Sequence, residues 1–382
     1  MGILRLALAL CVFAAHSQSF KIPFLKGDIA VEIFFVMSGF YMQLILGNFY
    51  TFSKMGDNWI KKFYINRYLR LFPTYFIVGI TTLILAGLKQ LLFSEALVAP
   101  FNVITEVSQL QNSISNVILK VFLLFTNLGI FFQDFIMFIG VNQGNAELVY
   151  DFYNSDIQVW QGLAIPQAWT LGVELSFYLL APYLLKLSTK KLLTFAGLSV
   201  AAKLMFLLFF YPKFLIYSHF GFDGIQNIRG LWGYRFLPFE IGYFLAGALS
   251  YRLFEEKECF FLHPTKRNKI LAYVLVILCI TLVSPIFNKD GFCWIYPFIF
   301  VYLLPTLFHL FKNSKIDNVI GEFSYPFYLS HLVCLRVTKP LEDIGLVNLH
   351  NISALTLTLL FSVMLISLNK KFDLIRERIK TA

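Results

Sequence analysis

The first apolar run of the chain, LRLALALCVFAAHSQSF, carries two groups that a lipid-embedded helix is expected to exclude, Arg5 and His16. They are eleven residues apart, which on a helix is three turns plus about 20°, so both fall on one face, roughly 16 Å apart along the axis. A guanidinium at a membrane edge in line with an imidazole deeper in the bilayer costs free energy, and an ionisable group at such depth is by default a functional one. The chemistry an imidazole offers there is general-base catalysis. Two plainer readings also fit this stretch by itself. It resembles a secretory signal peptide, with Arg5, a short apolar core and the small residues Ala14 and Ala15. Alternatively His16 is an interfacial polar residue ahead of Lys21.

Four further constellations carry chemistry. In WIKKFYINRYLRLFPTYF, Arg67 and Arg70 are spaced i, i+3 and share a helix face. Guanidinium forks suit phosphate oxygens, with Lys61 and Lys62 adding point charge, although topogenic charge accounts for the cluster equally well. In PQAWTLGVELSFYLLAP, Glu174 sits about two turns into an apolar helix, flanked by Trp169 and Tyr178. A carboxyl group there is protonated, paired or facing a cavity, unless it is a structural tie to a neighbouring helix. In GYRFLPFEIGYFLAGAL, Arg235 and Glu240 are about 140° out of line on a helix, so each needs a partner elsewhere. Glu174 and Glu32, the latter near the start of the second apolar run, are candidate partners for Arg235. The small residues of GYFLAGAL predict close helix contact. In IGEFSYPFYLSHL, Tyr325, Tyr328 and His331 recur at i, i+3, i+6 on one drifting face, as a packing stripe or as part of a site.

The elements that must hold these groups are membrane helices. The chain is 58% hydrophobic and 14% charged, against about 25% charged in soluble domains. Its long uninterrupted apolar runs exclude the alternating pattern of a β-barrel. Candidate spans are 4–20, 29–47, 71–92, 167–187, 192–211, 231–254, 270–287, 291–311, 319–337 and 351–369. The net charge of +10 lies in short loops between these runs, a pattern of cytosolic loops and not of nucleic-acid binding. With Arg5 inside, about ten spans put the basic clusters at 61–70, 186–191, 252–269, 312–315 and 370–380 on one side, with both termini. This requires that 117–139 either not cross or cross twice; its interruption by Lys120, Asn127, Gly129, Gln133 and Asp134 favours a re-entrant or surface-lying element. The expected fold class is all-α: a polytopic transmembrane bundle forming one domain over 1–382. The five cysteines show neither metal-site spacing nor a disulfide pattern.

Taken together, these residues resemble the acyltransferase 3 family of integral membrane acyltransferases, which includes bacterial polysaccharide and lipopolysaccharide O-acetyltransferases. Arg5 and His16 are similar to the family's R-x10-H motif. GDIAVEIFFVMSGF resembles its GvDlFFvlSGF signature, with Glu32 where Asp is usual. NRYLR resembles its RxxR element, AWTLGVELSFYLLAP its WSLxvEexFYLLxP motif, RFLPFEIGYFLAGAL its R-x-peFllG segment, and FSYPFYLSHL its late S-Y-x-x-Y-L-x-H pattern. The resemblance retires the signal peptide, because cleavage would discard His16. It implies an O-acyltransferase that moves an acyl group, acetyl in most members, from cytosolic acyl-CoA to a hydroxyl of a cell-surface glycan or lipid-linked sugar. No bound cofactor is implied, and the location is a bacterial inner membrane. By the resemblance, His16 and Glu174 are the catalytic pair, with Glu174 orienting His16 or stabilising its imidazolium. Arg5, Arg67 and Arg70 bind the donor, and Trp169, Arg235, Tyr325, Tyr328, His331 and Glu32 support the site.

A transporter or flippase for a lipid-linked glycan also fits buried Arg, Glu and His in a bundle. The arginine pair together with R-x10-H separates the two, because a transporter has no need of a CoA clamp. The repeat symmetry common in transporters is not evident in this sequence.

Overall fold

The computed structural model of the chain describes residues 1–17, 25–93, 100–149, 154–210, 232–257, 265–283 and 293–381. The helices are α1 (Gly2–Ser17), α2 (Gly27–Asn48), α3 (Phe52–Met55), α4 (Trp59–Phe93), α5 (Phe101–Gln109), α6 (Ile114–Gly129), α7 (Gln133–Ile136), α8 (Trp169–Leu184), α9 (Thr189–Phe210), α10 (Trp232–Arg235), α11 (Leu237–Lys257), α12 (Lys266–Leu278), α13 (Ile299–Phe311), α14 (Lys315–Asp343) and α15 (Val347–Thr381). The helical class expected from the apolar runs holds. Among the described residues, three helices are by themselves long and apolar enough to cross a membrane, Gly27–Asn48, Phe52–Lys89 and Val347–Ile379. Gly2–Ser17, Ile114–Gly129 and Ile295–Phe311 are shorter apolar helices. Of the expected spans, 4–20, 192–211, 231–254, 270–287 and 291–311 each have an end outside the described residues. The chain divides into two compact units, one of 1–66, 177–221 and 238–382, the other of 67–176 and 222–237.

The first unit is built on helix crossings that tolerate no side chain. A Cβ on Gly2 of α1 would lie 1.7 Å from the Asp317 carbonyl oxygen of α14. One on Gly39 of α2 would lie 1.8 Å from the Phe244 carbonyl oxygen of α11, and one on Gly247 of α11 would lie 1.8 Å from that of Val36 on α2. In lipid, helices gain nothing from hiding apolar side chains, so close backbone approach at small residues becomes a main source of association. Glycine is what the contact between GFYM and GYFLAGAL requires. The Asp317 carboxylate also accepts the backbone N–H groups of Gly2 (2.6 Å) and Ile3 (3.1 Å). It thereby caps the first turn of α1 with a negative charge, where the helix dipole favours one.

The basic ends of this unit meet one another. Asn66 Nδ2, beside the 61–70 cluster, donates to the Arg376 carbonyl of the basic tail at 2.9 Å. Lys186 stands 4.2 Å over the Trp59 ring. Arg252 donates to the Leu185 and Leu187 carbonyls, both at 2.9 Å. Lys312 lies 5.4 Å over the ring of Phe254. Five stretches far apart in sequence are thus gathered on one side of the unit. The other end of the scale is α15, whose 35 residues extend about 52 Å at 1.5 Å per residue. That exceeds the ~30 Å hydrocarbon thickness, so the basic tail overhangs it.

In the second unit, the 117–139 stretch is not one helix. Its helical part stops at Gly129, followed by left-handed backbone at Ile130 (φ 69°) and Phe132 (φ 61°) and the single turn α7. A helix of 16 residues is about 24 Å long, short of a full crossing. α6 buries Asn116 and Thr126 while exposing Ile118, Val121, Leu124 and Leu128, an arrangement suited to lipid. An antiparallel ribbon that the apolar pattern did not announce follows, β1 (Ile139–Asn142) and β2 (Asn145–Leu148). Its turn has positive φ at both central residues, Gln143 (49°) and Gly144 (76°), as a two-residue hairpin with the right twist requires. Asn116 pins it, donating to the Gly144 carbonyl at 2.9 Å and accepting from Ala146 N–H at 2.8 Å.

Replacing Gly247 with Leu forces α2 and α11 apart, and overpacking of this kind costs about 1–3 kcal/mol or more. We expect Gly247→Leu to lower the unfolding temperature and the monodisperse yield in detergent. Gly197→Leu, where an added Cβ meets nothing within 4 Å, should leave both unchanged.

Candidate active site

α1 is continuous from Gly2 to Ser17, so Arg5 and His16 lie on one helix as their spacing predicts. Arg5 is half-buried, with its guanidinium 4.3 Å over the Tyr41 ring of α2. That stacked geometry holds the cation against an aromatic face. His16, in the last turn, is exposed. Its Nδ1 lies 2.9 Å from the Val12 carbonyl oxygen and 3.2 Å from Nε2 of His331. The two imidazole centroids are 5.0 Å apart.

His331 comes from α14, 315 residues along the chain, and is fully buried. α14 packs along α1, and their crossing at Gly2 brings the two rings into register. The Nδ1 of His331 lies 2.5 Å from the Tyr328 carbonyl. A carbonyl only accepts, so this nitrogen carries the hydrogen, and in the neutral ring Nε2 is left as the acceptor. The facing Nδ1 of His16 must then donate, and the Val12 carbonyl makes the same demand. Both contacts assign one tautomer to His16: hydrogen on Nδ1, basic lone pair on Nε2. Around the pair stand Phe13, 6.4 Å from the His331 ring, and Tyr328, 5.8 Å from it. Phe34 meets Tyr328 edge-on at 6.3 Å. Tyr325 is half-buried on the same helix.

Glu32 and Glu240 share a partner that the sequence reading missed. Lys203 of α9 donates to Glu32 Oε1 at 2.7 Å, to Glu240 Oε1 at 2.8 Å and to the Tyr243 hydroxyl at 3.3 Å. All three charged groups are buried. Glu32, a candidate partner for Arg235 in the sequence, is instead paired with Lys203. The signal was available, since Lys203 is the one charged residue in the run 192–211, and a lone lysine in such a run needs a carboxylate.

The other predicted residues lie in the second unit. Arg67 is buried at 4% exposure, whereas Arg70 is exposed, so the two guanidiniums share a helix but not an environment. Glu174 is half-buried on α8. Arg235, closing α10, stacks 4.9 Å over the Trp169 ring, which meets Tyr234 edge-on at 4.8 Å. Gly172, two residues before Glu174, lets α7 approach α8. A Cβ there would lie 2.6 Å from Asp134 Oδ1.

The family described as "Acyltransferase domain" matches residues 1–367. The chain belongs to the acyltransferase 3 family. The match runs through Arg5, His16, Lys203 and His331 alike, so the histidine pair and the buried triad are parts of the acyltransferase region. With the apolar helices, membership makes the protein an integral membrane acyltransferase. A relative from Aquifex aeolicus (strain VF5), carrying the name "Uncharacterized protein", is 28% identical over 203 residues, 52% of this chain and 81% of its own length. No solved structure matches the chain.

Lys203→Met removes the cation between two buried carboxylates, and stranding buried charge costs about 3–5 kcal/mol. We expect a large drop in thermal stability in detergent. Much of it should return when Glu32→Gln and Glu240→Gln are added, because the uncompensated charge is then gone. A triple variant no more stable than Lys203→Met would show that the triad's charge balance is not what matters.

Proposed function

We propose that this acyltransferase moves an acyl group, acetyl in the first instance, from acyl-CoA to a hydroxyl of a glycan or lipid-linked sugar, with His16 as general base. The observation that carries the reading is the pair of contacts made by His16 Nδ1, to the Val12 carbonyl and to His331 Nε2. A base needs a lone pair held toward its substrate, and the two Nδ1 contacts put that lone pair on Nε2 of an exposed ring. Nε2 takes the proton of the acceptor hydroxyl as its oxygen attacks the thioester carbonyl carbon. The C–O bond forms, the C–S bond breaks, and the proton passes from the imidazolium to the departing CoA thiolate. The imidazolium formed in between is stabilised by the Val12 carbonyl and by the His331 Nε2 lone pair. These do for it what a carboxylate does in a hydrolase triad. His331 is thus a positioning residue for His16, beside the role the family resemblance gives to Glu174.

On the donor side we assign phosphate recognition to Arg5, Arg67 and Arg70 from guanidinium chemistry. Arg5 lies at the far end of the helix that carries His16, about 16 Å away, which suits a phosphate-rich head with an extended pantetheine arm. The gathered basic ends of the first unit support placing that side in the cytosol, with both termini, in a bundle of about ten spans in a bacterial inner membrane. A transporter reading gains nothing from an imidazole whose tautomer is fixed.

His16→Ala should lower acyl transfer by the purified protein about 10²–10⁴-fold without loss of membrane insertion. Transfer at the parental rate would remove His16 from the chemistry. His331→Phe should lower kcat with KM for acyl-CoA unchanged, and His331→Gln, whose amide oxygen accepts the Nδ1–H, should recover part of it. Arg67→Ala with Arg70→Ala should weaken acyl-CoA binding in a calorimetric titration. Unchanged affinity would return the pair to a topogenic role.

A further inference from the structure

The second unit contains a cavity of about 420 Å³ between α4, α5 and α6. Its walls are apolar, set by Gly79, Ile80, Leu83, Ile104, Leu123 and Leu124, with Tyr75, Ser108, Lys120 and Asn127 as its polar lining residues. At the Asn127 end the polar groups are bonded to one another and to backbone. The Tyr75 hydroxyl donates to the Asn127 carbonyl at 2.7 Å and accepts from Gln133 Nε2 at 2.5 Å. Asn127 in turn bonds the Gly162 carbonyl at 3.1 Å and Ala164 N–H at 2.8 Å. The other end carries a cation. Lys120 lines the cavity, with Nζ held by the Leu110 carbonyl at 2.7 Å and Asn112 Oδ1 at 3.1 Å. Both acceptors are neutral, and among the described residues no carboxylate lies within ion-pair distance, so these contacts fix the ammonium in place without neutralising it. An ammonium has three N–H groups, and two of them are accounted for. Lys120 and Asn127 are seven residues apart on α6, which makes the apolar channel roughly 10 Å long.

We propose that this groove holds one chain of an anionic phospholipid, with the headgroup phosphate on Lys120 and the chain running along Gly79 toward Tyr75. A fixed cation at the mouth of a narrow apolar channel in a membrane protein matches an amphiphile that is negative at one end and aliphatic beyond it. Neither a neutral apolar molecule nor a polar acceptor sugar uses both features. Gly79 sets the width: an added Cβ would meet only Ile165 Cδ1, at 3.8 Å, so the backbone tolerates a side chain there and the groove would be filled by it.

The test compares phosphatidylglycerol with phosphatidylcholine of the same chains, added to the full-length protein in detergent and read as retained lipid by native mass spectrometry. One basic side chain near an anionic headgroup is worth about fivefold in affinity. The parental protein should retain phosphatidylglycerol over phosphatidylcholine by about that factor. Lys120→Gln should abolish the preference, and Gly79→Phe should abolish retention of either lipid. Equal retention of the two lipids by the parental protein overturns the proposal, as does a preference that survives Lys120→Gln. Retention that survives Gly79→Phe would reduce the finding to a headgroup on the surface and overturn the groove.

Discussion

Two imidazoles in hydrogen-bond contact must divide their hydrogens, and neither can do so independently of its other neighbour. Here the Tyr328 carbonyl fixes one ring, and that ring together with the Val12 carbonyl fixes the other. The chain of demands runs from the carbonyl of the buried Tyr328 to the far nitrogen of the exposed His16. It needs α1 and α14 to lie within hydrogen-bond reach at His16 and His331. That in turn depends on their closeness at Gly2, where a Cβ would fall on the Asp317 carbonyl. A side chain at the far end of α1 would therefore disturb the histidine pair without touching it. The site's geometry rests on backbone contact between helices, the association that lipid permits.

The buried charges obey a second constraint. Lys203 joins α2, α9 and α11 through two carboxylates, and those helices also include the α2–α11 glycine crossing. Such a cluster is not needed for net stability, since apolar residues of similar volume often serve as well. What it supplies is register: only one relative position of the three helices satisfies all three charges. The glycine contacts bring the helices close, and the triad fixes where along their length they meet.

Much of this was legible in the sequence because its cause was local. The common face of Arg5 and His16 follows from helical period, and the closeness of α11 to its neighbour follows from GYFLAGAL. The arrest of 117–139 was signalled by the polar groups Asn127, Gly129, Gln133 and Asp134, although left-handed backbone at the β-branched Ile130 was not. The bond between His16 and His331 was not legible, because 315 residues of separation carry no periodic trace of a contact. Arg67 and Arg70 share a face by spacing, yet one is buried and the other exposed, because tertiary neighbours and not helical phase decide burial. The ribbon at 139–148 was missed because its strands are four residues each and lie beside a dominant apolar signal.

The asymmetry of charge completes the account. Basic segments distant in sequence converge on one side of the first unit, and the apolar faces of α6 and α15 turn outward. On the function proposed above, a phosphate-bearing donor approaches such a unit from its basic side and the imidazole receives the acceptor's proton. The most direct test of that account is nitrogen NMR of the histidine-labelled protein in nanodiscs, with His16→Gln used to assign the signals. The account predicts that neutral His16 carries its hydrogen on Nδ1, with Nε2 showing the shift of an unprotonated ring nitrogen. A His16 found with hydrogen on Nε2 would leave no lone pair facing the acceptor and would contradict it.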